Sequence, residues 1–193
     1  MADKVVLLDF WPSMFGMRVR IALAEKGRGE YWDGSTELET KRYLPKQESL
    51  LLELKPYHRK SPVLIPMNDQ MVETLHFELQ LYGPGRKLFW SPEEHEDAGM
   101  EFIGYLKVLE GELGDEPFFG GETFGFVDIA LITFYSWFKA YETYGNLSVE
   151  SECPKLIAWA KRCLGRESVA MSLVDQDKVS GFIAQVRQEL GLK

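Results

Sequence analysis

The sequence is poor in the residues that build redox, metal and nucleotide sites. Only two of its 193 residues are cysteine and three are histidine. Cys153 and Cys163 stand ten residues apart in a stretch of helical pattern. A helix would hold them roughly 15 Å apart, beyond the reach of a disulfide. His58, His76 and His95 are scattered, with no cysteine or carboxylate cluster at ligand spacing, which argues against a metal site. No glycine-rich loop follows a strand, so no phosphate cradle for a nucleotide is expected. Long apolar runs are missing as well. The longest, Phe126 to Phe138, contains Asp128 and falls short of the roughly 20 residues of a membrane span. At the N-terminus Asp9 interrupts an apolar run of four, Val5 to Leu8, which is no signal peptide. Unpaired cysteines without an export signal predict a cytosolic protein. Net charge is −8, which argues against binding nucleic acid or an anionic membrane through bulk charge. Internal repeats and low-complexity segments are also lacking.

What is present suits a folded chain. Hydrophobic residues make up 45% and aromatics 13%, enough for a core and too many for a disordered segment. The length allows one large domain or two small ones. Residues 1–75 carry eleven acidic and eleven basic side chains, against nineteen and eleven in 76–193. The excess negative charge therefore lies in the C-terminal part, and the N-terminal part is free to hold an anionic small molecule. Patterns change near residues 82–92. Before them, Val5 to Leu8 reads as a buried strand. Phe15, Val19, Ala22 and Leu23 form one helical face that stops at Gly27. Glu30 to Trp32 is a weak strand, Asp33 to Glu48 a loop and Leu50 to Leu54 a short helix. Pro62 to Ile65 is a strand, Met67 to Gln70 a turn, Met71–Val72 a second strand, and a helix starts near Thr74. This order predicts a thioredoxin-like α/β domain over 1–82 and an all-helical domain over 83–193. In the latter, Ile103, Leu106, Leu109 and Leu113 repeat at helical spacing. Phe126 to Tyr144 is apolar almost all round and predicts a buried central helix. Leu156 to Leu164 and Val179 to Leu190 are amphipathic.

Each candidate site residue has a plain reading beside a functional one. Ser13 sits where a buried strand meets a helix. It is either an N-cap satisfying a free backbone N–H, or a hydroxyl donor to an anion such as a thiolate in the positive field of the helix start. Lys41, Arg42, Lys46, Lys55, Arg59 and Lys60 form a solvated basic face or a clamp for carboxylates. Glu73–Thr74 is a helix cap, or a carboxylate and hydroxyl facing a charged amino acid. Phe10, Trp11, Phe15, Phe89, Trp90, Trp137 and Phe182 are core by default, and a subset could line an apolar pocket.

Three long segments carry a resemblance: Leu7 to Gly27 (LLDFWPSMFGMRVRIALAEKG), Gly120 to Ala130 (GGETFGFVDIA) and Glu150 to Cys163 (ESECPKLIAWAKRC). Together they closely resemble plant tau-class glutathione transferases, and the resemblance spans residues 1–32, 49–75 and 85–193. It implies a thioredoxin-like domain that binds glutathione and a helical domain that completes an apolar electrophile site. Ser13 matches the catalytic serine that donates a hydrogen bond to the glutathione sulfur. Lys60 matches a lysine on the glycyl carboxylate, and a second lysine position falls on Lys46 or Gln47. Ser61 precedes Pro62, the match to a cis-proline whose preceding backbone pairs with the cysteinyl moiety. Glu73–Thr74 stands where the family has Glu-Ser for the γ-glutamyl group. Asp128 matches the residue that holds the start of the central helix. Tyr82, Arg86, Phe89, Trp137 and Phe182 fall at electrophile-site positions, with Phe10, Trp11 and Phe15. No metal is implied; glutathione is the co-substrate.

The chain departs from that pattern after Leu75, where Leu75 to Tyr82 runs almost directly into Gly85. Roughly thirty residues are absent, as many as one long helix and its linker need. The resemblance implies a homodimer, and the shortened stretch predicts a weakened or rearranged one. It also implies conjugation of glutathione to hydrophobic electrophiles, as in detoxification. The other reading is a ligand-binding protein of the same fold with little or no catalysis. Thiol–disulfide exchange is disfavoured because position 13 is Ser.

Overall fold

The computed structural model describes residues 6–26, 39–42 and 69–192, and the chain divides into two compact units, Met1–Pro66 and Met67–Lys193. In the first, β1 (Val6–Asp9) leads into α1 (Met14–Lys26), and β2 (Glu39–Arg42) pairs with β1 in parallel. Val6 faces Glu39 and Asp9 faces Arg42. A parallel pair requires a crossover, and α1 lies within it. The loop expected over 33–48 therefore contains a strand. Glu39-Thr-Lys-Arg42 has no apolar alternation, and its backbone pairing with β1 is what defines it as a strand. The weak strand at Glu30–Trp32, the helix at Leu50–Leu54 and the strand at Pro62–Ile65 lie outside the described residues. Along α1, Met14, Met17 and Ile21 are buried, whereas the expected face of Phe15, Val19, Ala22 and Leu23 is half-buried. The helix is apolar on most sides, so its periodicity does not select the inner face.

Every named element of the second unit is helical, apart from isolated antiparallel bridges between Phe118 and Thr123. The unit opens with α2 (Asp69–Trp90), followed by a 3₁₀ turn (Pro92–Glu94) and α3 (His95–Leu113). Met71–Val72, expected as a strand, lies inside α2, and the helix starts five residues before Thr74. The boundary expected at 82/83 falls within this same helix, while the compact units divide at 66/67. On α2, Leu81, Leu88 and Phe89 are buried; on α3, Phe102, Leu106, Leu109 and Leu113. Ile103 is half-buried, with Phe102 in the inner position instead.

The expected central helix is broken into α4 (Phe126–Ile132), a 3₁₀ segment (Thr133–Trp137) and α5 (Phe138–Gly145). Thr133 Oγ1 donates to the Ala130 carbonyl at 2.9 Å, a back-bond that competes with the α-helical ladder and tightens the turn. Ala130 to Phe134 is buried, but Phe126 at the start is 36% exposed. Four helices complete the unit: α6 (Val149–Glu152), α7 (Pro154–Leu164), α8 (Glu167–Ala170) and α9 (Gln176–Glu189). No helix among the described residues is long and apolar enough to cross a membrane.

Asp128, fully buried, ties these pieces together. Its Oδ2 accepts the Gly125 N–H at 2.9 Å, and its Oδ1 accepts the Phe119 N–H at 3.0 Å and Trp159 Nε1–H at 2.8 Å. The Phe119 ring packs edge-on against Trp159, 5.3 Å between centroids. Both cysteines are free and buried. Burial, with Glu110 adding to it, pushes the Cys153 thiol up to about 11, and burial followed by Asp128 pushes Cys163 up further.

Two measurements check this packing. Asp128→Ala leaves three N–H groups without an acceptor and should cost about 3–5 kcal/mol in denaturant unfolding, more than Asp128→Asn. A loss below about 1 kcal/mol would contradict the role of the carboxylate. At pH 8 a thiol with pKa near 11 is about one-thousandth thiolate, so neither cysteine should react with an aromatic disulfide reagent until the protein unfolds. Two thiols should then titrate together.

Candidate functional site

Ser13 occupies the junction between β1 and α1. Its N–H donates to the Phe10 carbonyl at 2.8 Å, which closes the turn after the strand, and its carbonyl accepts the Met17 N–H at 3.0 Å, which opens the helix. Its Oγ accepts the Gly16 N–H at 3.3 Å. The cap contact is thus made. A serine hydroxyl has one donor and two acceptor sites, so accepting from Gly16 leaves the O–H proton available to an anion at the helix start. The two readings of Ser13 are therefore compatible. Close by, the Arg18 guanidinium lies 4.8 Å over the Phe15 ring, and Phe10, Trp11, Phe15 and Ser13 are all half-buried.

Lys46, Gln47, Lys60, Ser61 and Pro62 lie outside the described residues. Glu73 and Thr74 are the fifth and sixth residues of α2, one turn inside it and not at its start. In the second unit, Tyr82 and Arg86 are exposed on α2, and Trp137 and Phe182 are half-buried on the 3₁₀ segment and α9. Phe89 is 3% exposed and sits at the centre of an aromatic cluster. It stacks on Tyr141 at 4.9 Å, leans on Trp137 at 5.8 Å and meets Tyr144 edge-on at 6.0 Å. The structure thus brings Phe89 and Trp137 together. A groove of about 990 Å³ opens elsewhere in this unit, lined by Met100, Ile103, Lys107, Glu142 and Leu147 among others. Of the side chains singled out in the sequence, His95 and Ile103 line it, but none of the candidate glutathione- or electrophile-site residues does.

Three residues escaped the sequence reading. Tyr141 is buried beneath Phe89, and burial raises its phenol pKa. Trp159 holds Asp128; a buried indole N–H needs an acceptor, and an aspartate within an apolar run was the available signal. Arg187, 3% exposed, donates from Nη1 to the Phe89 carbonyl and lies 4.3 Å over the Tyr144 ring. Only its place on the inner face of an amphipathic helix hinted at it.

Comparison with known proteins fits this geometry. Residues 92–162 match the family model for the glutathione S-transferase C-terminal domain. A "Probable glutathione S-transferase parC" from Nicotiana tabacum is 48% identical, over 99% of each chain. Glutathione S-transferase U25 of Arabidopsis thaliana is 45% identical over 100% of this chain and 99% of its own. The crystal structure of rice GST1 (OsGSTU1) in complex with glutathione superposes with a TM-score of 0.80 at 33% identity, covering 96% of this chain and 97% of that one. The tau-class MiGSTU from mango shares the fold, with a TM-score of 0.77. The alignment to the tobacco protein runs over 225 positions although this chain has 193 residues, so that relative carries about thirty residues with no counterpart here. Identity at this level across nearly the whole sequence places the chain among the plant glutathione S-transferases of the tau class.

Proposed function

We propose that this transferase joins the glutathione thiol to apolar electrophiles and that Ser13 stabilises the thiolate. The observation that carries the assignment is the seat of Ser13 immediately before α1, where its Oγ accepts the Gly16 N–H and its O–H remains a donor group. Moving a thiol pKa from about 8.5 to about 6.5 requires roughly 2.7 kcal/mol of preference for the anion. A hydrogen bond to a charged acceptor supplies about 1.5–3 kcal/mol and a helix N-terminus about 0.3–1. One hydroxyl and one helix start therefore suffice. The thiolate then attacks the electrophilic carbon, and the leaving group departs with its electron pair.

The remaining contacts follow the family scheme. The first unit is the thioredoxin-like domain expected over 1–82, a reading supported by the parallel β1–α1–β2 unit. Lys60, and Lys46 or Gln47, take the glycyl carboxylate. The backbone of Ser61, before Pro62, pairs with the cysteinyl group, and Glu73–Thr74 face the γ-glutamyl end. The near-neutral balance of residues 1–75 suits an anionic tripeptide better than the acidic remainder does. The resemblance assigns Phe10, Trp11 and Phe15 of the first unit, and Tyr82, Arg86, Phe89, Trp137 and Phe182 of the second, to binding the electrophile. The enzyme works in the cytosol on hydrophobic toxicants, as a homodimer weakened or rearranged by the shortened chain.

Ser13→Ala tests the core of this scheme. It should raise the pKa of bound glutathione by about one to two units and lower conjugation at neutral pH about ten- to a hundredfold. Glutathione affinity should change much less, and higher pH should restore part of the rate. Because the cap bond is lost as well, stability should fall by about 1 kcal/mol. Ser13→Thr, which keeps cap and donor, should retain both properties. Superimposable pH–rate profiles for wild type and Ser13→Ala would defeat the assignment, and glutathione binding without turnover in the wild type would favour a ligand-binding protein.

A further inference from the structure

We propose that Arg187 is a positioning residue for the electrophile site, setting where α9 sits against the end of α2. The proposal rests on the electrophile-site assignment above and adds a residue to which no role is attached there. Arg187 is 3% exposed. A guanidinium cannot shed its charge, so burying it demands partners that repay its lost water. Two of those partners are visible. One is the Phe89 carbonyl, among the last four of α2, which have no acceptor duty inside the helix. A cation at that end also meets the negative pole of the helix. The other is the face of Tyr144, 4.3 Å away on α5.

This geometry matters because of what the joined elements carry. Tyr82, Arg86 and Phe89 are on α2, Phe182 is on α9, and Trp137 lies on the 3₁₀ segment against Phe89 at 5.8 Å. All five of the second unit's candidate electrophile residues thus belong to elements that converge on the Arg187–Phe89 contact. Val179, Ile183 and Arg187 are buried one turn apart along α9. The aliphatic pair buries α9 against the bundle through non-directional contacts. The fixed fork of Arg187 adds directional ones. With it removed, α9 and the end of α2 lose their register, and Phe182 and Trp137, the latter packed on buried Phe89, lose their placement. The thiolate machinery around Ser13 lies in another unit and does not depend on Arg187.

The test uses the full chain carrying Arg187→Met, which keeps the aliphatic volume, Arg187→Lys, which keeps the charge, and Tyr144→Leu, which removes the ring under the guanidinium together with its edge contact to Phe89. Steady-state rates with glutathione and chlorodinitrobenzene should show the KM for the aryl chloride raised about five- to tenfold in Arg187→Met, with the KM for glutathione and the acid limb of the pH–rate profile unchanged. Arg187→Lys should recover part of the loss, and Tyr144→Leu should show a smaller rise of the same kind. Titration of the dinitrophenyl–glutathione conjugate, followed by protein fluorescence, gives the same ordering without turnover. An electrophile KM and conjugate affinity within twofold of wild type, with only the melting temperature lowered, would overturn the proposal. So would equal rises in both KM values. Should Arg187→Met fail to fold, Tyr144→Leu and Arg187→Lys decide by the same criteria. A wild type that binds the conjugate in an Arg187-dependent way but shows no turnover would overturn the conjugation reading alone.

Discussion

The Asp128 carboxylate gathers N–H groups from three places in the chain: the irregular segment before α4, the first turn of α4 itself, and the indole on α7. A buried carboxylate with three charge-assisted hydrogen bonds is tolerable, whereas one with fewer carries a desolvation cost of several kcal/mol. The arrangement therefore forms as a whole or not at all. Because Gly125 N–H is one of the amides that α4 cannot satisfy internally, the same carboxylate that orders the loop also starts the helix. From α4 the chain passes through the tightened Thr133–Trp137 turn into α5, whose Tyr141 supports Phe89. The aromatic cluster depends on where that first turn is placed.

Acidic side chains recur in this role across the second unit. Glu142 Oε1 accepts the Val149 N–H at the start of α6 at 2.7 Å. Glu110 Oε2 accepts the Lys155 and Leu156 N–H groups at 2.8 and 3.1 Å, so α3 caps α7 from a distance. Asp175 caps α9 through the Asp177 and Lys178 amides. Short helices leave a large share of their amides unsatisfied, and negative charge near those amides is favourable. Part of the acidic excess of residues 76–193 thus serves helix starts. The exposed pair Lys155–Asp115, by contrast, contributes little beyond orientation.

How much of this was legible depended on which physical signal each element leaves in the sequence. Elements held by burial of a periodic face could be read: α3 through Leu106, Leu109 and Leu113, and α7 and α9 through their amphipathic spacing. Elements held by backbone pairing could not, and β2 is a run of polar residues. Where a helix is apolar on most sides, as in α1, the pattern gives the helix and conceals the inner face. The break in the central helix was hidden for a different reason, since it coincides with a single Thr133 hydroxyl bonded to the Ala130 carbonyl, which leaves no mark in the hydrophobic pattern. At the candidate site the position of Ser13 at a strand–helix junction was legible. Its double engagement was not, because a cap bond and a free donor on the same oxygen are a matter of geometry. Arg187 was hidden because a basic residue near a helix end ordinarily points to solvent.

The most demanding element is α2, which continues as one helix through Gly83-Pro84-Gly85, at the place where the sequence lacks about thirty residues of the family pattern. Two glycines and a proline inside a helix cost about 5 kcal/mol in intrinsic propensity. Pro84 has no N–H for the carbonyl one turn back, and its ring crowds that carbonyl. The flanking side chains offset this cost. Burial of Leu81, Leu88 and Phe89 is worth about 1.5–3 kcal/mol each, which together is comparable with the cost of the joint or larger. Gly85 contributes by lacking a side chain, since a Cβ there would stand 2.8 Å from Tyr141 Cε1 and 3.0 Å from Cζ. Any other residue would force a shift of the Tyr141 ring on which Phe89 stacks. Gly83, where a Cβ would meet nothing within 4 Å, has no such packing reason. The helix is thus continuous because tertiary burial on one side outweighs local preference on the other. The aromatic stack that Gly85 permits joins the shortened chain to the rest of the helical unit.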